Sequence, residues 1–178
     1  MPAKKSCLVP AAFMFLSLVS VQARADDASP CFTLESLEGS YAVVGHYGAN
    51  VAISLGTRLF DGDGGVTGTS IVNEPTPGST TGGRTIITAV QVGTYTVNCD
   101  GTGVITRTLT ASNGVVTTQT DDFVITTGVS ERSHRREGRR LIATSMVDAQ
   151  TVPSAIVAGG IFLTRTYTRL PAPTRPER

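Results

Sequence analysis

The chain of 178 residues contains no tryptophan, two histidines, and no lysine after Lys5. Without tryptophan it lacks the side chain most used as a sugar-stacking platform, and it lacks the Gly-x-Trp signature of a lipocalin. Lys4 and Lys5 lie in a segment that reads as a secretion leader, so Schiff-base and lysine general-base chemistry are excluded from the mature protein. His46 and His134 are the only histidines, no Gly-x-Ser-x-Gly elbow precedes a helix, and no Cys/His cluster has zinc spacing. Neither a nucleophilic triad nor a zinc centre is supported. His46, beside Tyr47, could serve a site near the first strand, but a lone strand histidine is more often structural.

Excess charge is missing too. The 15 basic residues less Lys4, Lys5 and Arg24 leave 12 against 14 acidic ones, a net charge of about −2 that gives no reason to expect nucleic acid as a partner. Asp61, Asp63 and Asp100 sit in glycine-rich turns that could suggest calcium. The EF-hand pattern fails, however, because its fifth and twelfth positions fall on Gly65 and Val72. Turn geometry accounts for these aspartates, and no metal or cofactor is expected.

What is present begins with a leader. Lys4 and Lys5 give a positive start, Leu8 to Val21 an apolar run too short to remain as an anchor, and Ala23-Arg24-Ala25 a small-x-small cleavage site. Residues 1–25 are therefore expected to be a signal peptide, 26–38 an N-terminal arm, 39–170 one β domain, and 171–178 a disordered tail. Removing the leader places the protein outside the cytoplasm, secreted or periplasmic. It also leaves two cysteines, Cys31 and Cys99, in an oxidising compartment, where one disulfide tying the arm to the Cys99 turn competes with two free thiols.

From Gly39 onward, short Val/Ile/Thr/Tyr runs are separated by turn signals: Asp61-Gly62, Asp100-Gly101 and Asn113-Gly114. Val51, Ile53, Leu55 and Leu59 mark one side of a strand at period two, with Gly56 a point where it can bend. Residues 73–83 read as a loop, Glu131 to Arg140 as a charged hairpin tip, and Ala155-Ile156-Val157 as a short plug across a barrel end. The final strand, Gly160 to Leu170, alternates Ile161, Leu163, Arg165, Tyr167 and Arg169 against Phe162, Thr164, Thr166 and Thr168. About eight strands with no useful helical periodicity must hide their edges, which predicts an all-β, closed antiparallel barrel, with a two-layer sandwich as second choice.

Two arginines stand on apolar faces: Arg107 between Ile105 and Leu109, and Arg165 between Leu163 and Tyr167. If those faces line a barrel, the guanidiniums need a carboxylate or an anionic ligand, and Glu38, Asp121, Asp122 and Asp148 are candidate partners. Faces that point outward, or purely structural pairs, are the alternatives. The cluster Arg132, His134, Arg135, Arg136, Arg139 and Arg140 could touch an anionic surface or an acidic partner, or could be a solvated loop.

Leu37-Glu38-Gly39-Ser40-Tyr41, Leu59 through Gly68, and Gly93 through Gly103 together resemble a group of small secreted microbial proteins with an allene oxide cyclase-like barrel. The resemblance implies eight antiparallel strands, with plant allene oxide cyclases and dirigent proteins as distant structural relatives. Those relatives bind apolar substrates inside the barrel and often form trimers. The sequence blocks of the plant cyclases are absent, so none of their catalytic residues is carried over. The leading expectation is a secreted barrel holding a small, largely apolar ligand, with an acid group near Arg107, Arg165 or Tyr167. A cofactor-free isomerase or cyclase, and a structural or homo-oligomeric domain with a filled interior, are the two alternatives.

Overall fold

Three turns repeat one recipe. Asp61 Oδ1 accepts hydrogen bonds from the N–H groups of Asp63 and Gly65, both at 2.8 Å. Asp100 Oδ1 accepts from the N–H and hydroxyl of Thr102 at 3.0 and 2.7 Å, and Asn113 Oδ1 accepts from Val115 N–H at 3.1 Å. The next residue in each case, Gly62, Gly101 or Gly114, has φ +86°, a region in which a Cβ is strained. The bonds hold the Asp61 and Asp100 carboxyls below their ordinary range, as expected of carboxylates committed to a turn.

In the computed structural model, residues 31–47, 52–76, 78–132, 139–152 and 163–172 are described. They form eight strands: β1 (Gly39–Tyr47), β2 (Ala52–Phe60), β3 (Gly65–Pro75), β4 (Arg84–Val97), β5 (Thr102–Ala111), β6 (Val116–Arg132), β7 (Arg139–Val152) and β8 (Leu163–Arg169). Each pairs antiparallel with the next, and β8 returns to β1 from Tyr41↔Arg169 to Tyr47↔Leu163, so the sheet closes into a barrel. That closure favours the barrel over the sandwich and leaves no strand edge open along this seam. Two boundaries move: β3 runs on to Pro75, where a loop was expected from Asn73, and β6 and β7 pair as far as Arg132↔Arg139, into the expected hairpin tip. The leader, the Ala155-Ile156-Val157 plug, and His134, Arg135 and Arg136 lie outside the described residues, as does the tail beyond Ala172.

The N-terminal arm closes one end. A 3-10 turn, Leu34–Leu37, carries Leu37 into the barrel, where it is fully buried against Tyr41, Phe60, Tyr95 and Met146, with Phe32 and Leu34 packed alongside. Phe60 meets Tyr41 and Tyr95 edge-on, at ring-centroid distances of 5.4 and 5.0 Å. Tyr95 Oη donates to Leu34 O at 3.0 Å and accepts from Gly62 N–H at 3.1 Å, which locks the arm to the first turn. Cys31 and Cys99 form a disulfide, and Phe32 N–H donates to Cys99 O at 3.2 Å, so the arm is tied to the β4–β5 turn as expected. Among the described residues no helix is long and apolar enough to cross a membrane.

β2 inverts the usual pattern. Ile53, Leu55 and Leu59, the apolar side in the sequence, face outward, while Ala52, Ser54, Arg58 and Phe60 are buried. Because side chains alternate strictly along a strand, burying Phe60 in the aromatic end forces Arg58 inward as well.

Candidate functional site

Moving along β4, β5 and β8 away from the arm, the lining changes from apolar to polar and back. On β5 the order is Ile105, Arg107, Leu109; on β8 it is Tyr167, Arg165, Leu163; on β4 it is Tyr95, Gln91, Ala89. β2, β6 and β7 add Arg58, Asp121 with Gln119, and Asp148. The middle of the barrel is thus a polar layer between two apolar ends. Arg58, Arg107 and Arg165 are 2%, 2% and 4% exposed.

Asp121 is the hub. Its Oδ2 accepts from Arg107 Nε and Nη2 at 3.1 and 2.7 Å, and its Oδ1 pairs with Arg165 Nη2. Arg107 Nη1 also donates to Gln91 Oε1 at 3.1 Å. Arg165 Nε then reaches Asp148, at 3.0 and 2.9 Å from its two oxygens. The Tyr167 hydroxyl donates to Asp148 and accepts from Arg58 Nη1, and the Arg58 guanidinium lies 4.9 Å from the Tyr167 ring centre. Arg58 Nη1 is 3.6 Å from Asp148, an ion pair without a direct hydrogen bond, and Arg58 Nε is buried with no partner.

The electrostatics are uneven. Burial opposes the Asp121 carboxylate, but the Arg165, Arg107 and Arg58 guanidiniums outweigh it and hold the carboxyl below its ordinary value. Burial wins at Asp148, whose carboxyl is raised despite Arg165 and Arg58. Burial also pushes Arg107 down to about 10, with Arg165 beside it, and pushes Arg58 further, with Arg107 and Arg165 both adding to the pressure. Arg165, between two carboxylates, is raised against the effect of burial.

The structure therefore brings together Arg107, Arg165 and Tyr167 with Asp121 and Asp148. It separates them from two expected partners: Asp122 points outward from β6, and Glu38 sits at the rim, where its Oε2 accepts from Arg140 Nη1 at 2.9 Å. Arg58 was missed. The parity it shares with Phe60 was the available signal, masked by the stronger apolar run on the other side of β2. The cavity against the three guanidiniums is about 20 Å³, bounded also by Ser54, Gln119 and Leu109, room for one water-sized occupant and too little for an apolar ligand. Asp148 and Tyr95, both shifted upward, do not line it; Tyr95 is raised to about 12 by burial in the arm contact.

Of the basic tip, Arg132 is exposed, Arg139 donates to Ser130 O and Oγ at 2.8 Å each, and Arg140 is held by Glu38. The outer face differs in kind. From β8 through β1 to β5, outward positions such as Val44, Leu55, Leu59, Ile71, Val90 and Val92 are exposed, with threonine between them. Between His46 and Arg84 at the rim, no described outward side chain of this sector carries a charge. A shallow concavity of about 850 Å³ lies here, lined by Leu55, Ile71, Val90, Leu170 and several threonines.

Fold and site together define a closed eight-stranded antiparallel barrel with a charged centre and an uncharged outer sector. Comparison with protein-family models, with curated proteins and with solved structures found no match.

Proposed function

We propose that the protein is a secreted or periplasmic structural barrel that works through its outside, by self-association of the β8–β5 face, its interior being filled by its own side chains. The single observation that carries this reading is the uncharged sector, where Leu55 is 59%, Ile71 50% and Val90 59% exposed on three successive paired strands. Contiguous apolar surface of this kind marks an interaction site in a soluble protein. A second copy of the same chain is the partner it fits, since two uncharged faces can meet without burying an unpaired charge. A lipid belt would have to encircle the barrel between aromatic girdles. Here Asp122 is exposed on β6, and no described aromatic residue stands among the outward positions.

The apolar-ligand reading has less support, because the space beside Arg107 and Arg165 is about 20 Å³. An isomerase reading wants a shifted acid facing open space, and Asp148 and Tyr95 face partners instead. The resemblance to allene oxide cyclase-like barrels belongs to the same proposal, supported by its turn-and-strand motifs. Secretion is supported by the leader pattern of residues 1–25 together with the Cys31–Cys99 disulfide.

Light scattering of the mature protein tests the reading. The expected result is a small whole multiple of the chain mass, falling to one chain for Leu55→Asp combined with Ile71→Asp. A wild-type monomer at the highest soluble concentration, or uptake into lipid vesicles in place of self-association, would overturn it.

A further inference from the structure

The polar layer does not balance its charge. Three guanidiniums, Arg58, Arg107 and Arg165, face two carboxylates, Asp121 and Asp148, and all five are at least nine-tenths buried. A guanidinium does not give up its proton in a protein, so the layer retains at least one positive charge in a medium that penalises it heavily. Glu74, the other buried carboxyl among the described residues, stands near the end of β3, where Arg84 at the rim is the cation acting on it, and it does not line the cavity between the three arginines. The Tyr167 hydroxyl is already committed between Asp148 and Arg58.

The geometry points to a monatomic anion, a halide such as chloride, held in the cavity among Arg58, Arg107 and Arg165. Three observations converge on it. The cavity is lined by all three guanidinium side chains; its roughly 20 Å³ suits an ion little larger than a water molecule; and Arg58 Nε is buried with no partner in the protein. Ser54, which also lines the cavity, can add a neutral donor. A water molecule would fit the space but would leave the net charge unanswered. Polyatomic oxyanions such as sulfate exceed the space, so the site discriminates by size.

The test uses the mature protein unfolded by urea, in gluconate buffer of constant ionic strength into which chloride is exchanged. An anion that binds only the folded state multiplies the folding equilibrium constant by 1 + [L]/Kd. Above saturation, each tenfold rise in chloride should therefore raise that constant tenfold, with bromide acting alike. Arg58→Gln should remove the response. Crystals grown in bromide should show one anomalous peak among the three guanidiniums, a readout that remains decisive should the variant fail to fold. A chloride response that is flat, or equal in Arg58→Gln, overturns the inference, as does the absence of a bromide peak at the arginines.

Discussion

The two faces of β2 carry opposite chemistry to what their surroundings suggest: Arg58 is inside, while Leu55 and Leu59 are outside. A soluble barrel ordinarily places its aliphatic residues within and its charges without. The difference teaches that burial here follows the neighbours a side chain can reach. Arg58 is tolerated inside because Tyr167 and Asp148 meet it. Leu55 stands outside because its strand parity is fixed by Phe60 and by Ala52, which packs with Val72 and Leu163. If this contrast is right, substitutions inside the layer should cost far more than substitutions on the outer face.

The largest effect should come from the hub. Asp121→Ala removes the carboxylate shared by Arg107 and Arg165 and leaves two buried guanidiniums short of a partner. Breaking such a buried pair costs about 3–5 kcal/mol, measurable by urea unfolding. A loss below about 1 kcal/mol, the scale of an exposed pair, would mean that the layer is wet and the contrast is one of appearance.

Next comes the arm. The Cys31–Cys99 bridge spans 68 residues of sequence, and replacing both cysteines with serine should cost about 2–4 kcal/mol through the freed unfolded chain. Fluorescence of a probe in the 26–38 arm should report its release from the barrel end before global unfolding. A two-state transition in which arm and barrel unfold together would show that Leu37 holds the arm without the bridge.

A third measurement concerns the alkaline limb. Burial raises Tyr95 to about 12, against an ordinary value near 10. The unfolded chain loses this proton first, so stability attributable to Tyr95 is intact below about pH 10 and falls as pH rises toward 12. That loss is about 1–2 kcal/mol once partial solvent screening is allowed for. Tyr95→Phe should be less stable at neutral pH, for want of the bonds to Leu34 O and Gly62 N–H, yet flatter between pH 10 and 12. An unchanged alkaline slope in Tyr95→Phe would assign the limb to another group.

The strand count, the hairpin turns, the disulfide and the closure were legible in sequence because each rests on local chemistry: Asp-Gly and Asn-Gly turns, period-two runs, and an edge problem with one economical answer. Arg107, Arg165 and Tyr167 were legible because same-parity neighbours Ile105, Leu109 and Leu163 announce an apolar face. Arg58 was not, since Ser54 and Gly56 interrupt the apolar signal of Ala52 and Phe60 on its side, while Ile53, Leu55 and Leu59 make a stronger run on the other. The choice of Asp121 over Asp122 is a parity choice along β6, whose alternation runs unbroken from Gln119 to Ile125 although the register with β7 shifts between Thr120 and Asp121. Phe123 and Ile125 share the parity of Asp121 and would have decided it. Leu37, which fills the barrel end beneath the arm, was not legible, because a four-residue turn is too short to leave a periodic signal.

The smallest effect belongs to the outer face and completes the contrast. Leu55→Thr with Ile71→Thr changes two exposed, directly paired residues to the type that surrounds them. Threonine has the β-branched shape that suits a pleated surface, and leucine and isoleucine at half exposure gain little from the monomer's own fold. Measured at a concentration where the chain is monomeric, the change in unfolding free energy should stay within about 0.5 kcal/mol, while association at higher concentration weakens. If the monomer instead loses as much as Asp121→Ala, the outer aliphatics are part of the core energetics, and the distinction between a costly inside and an available outside disappears.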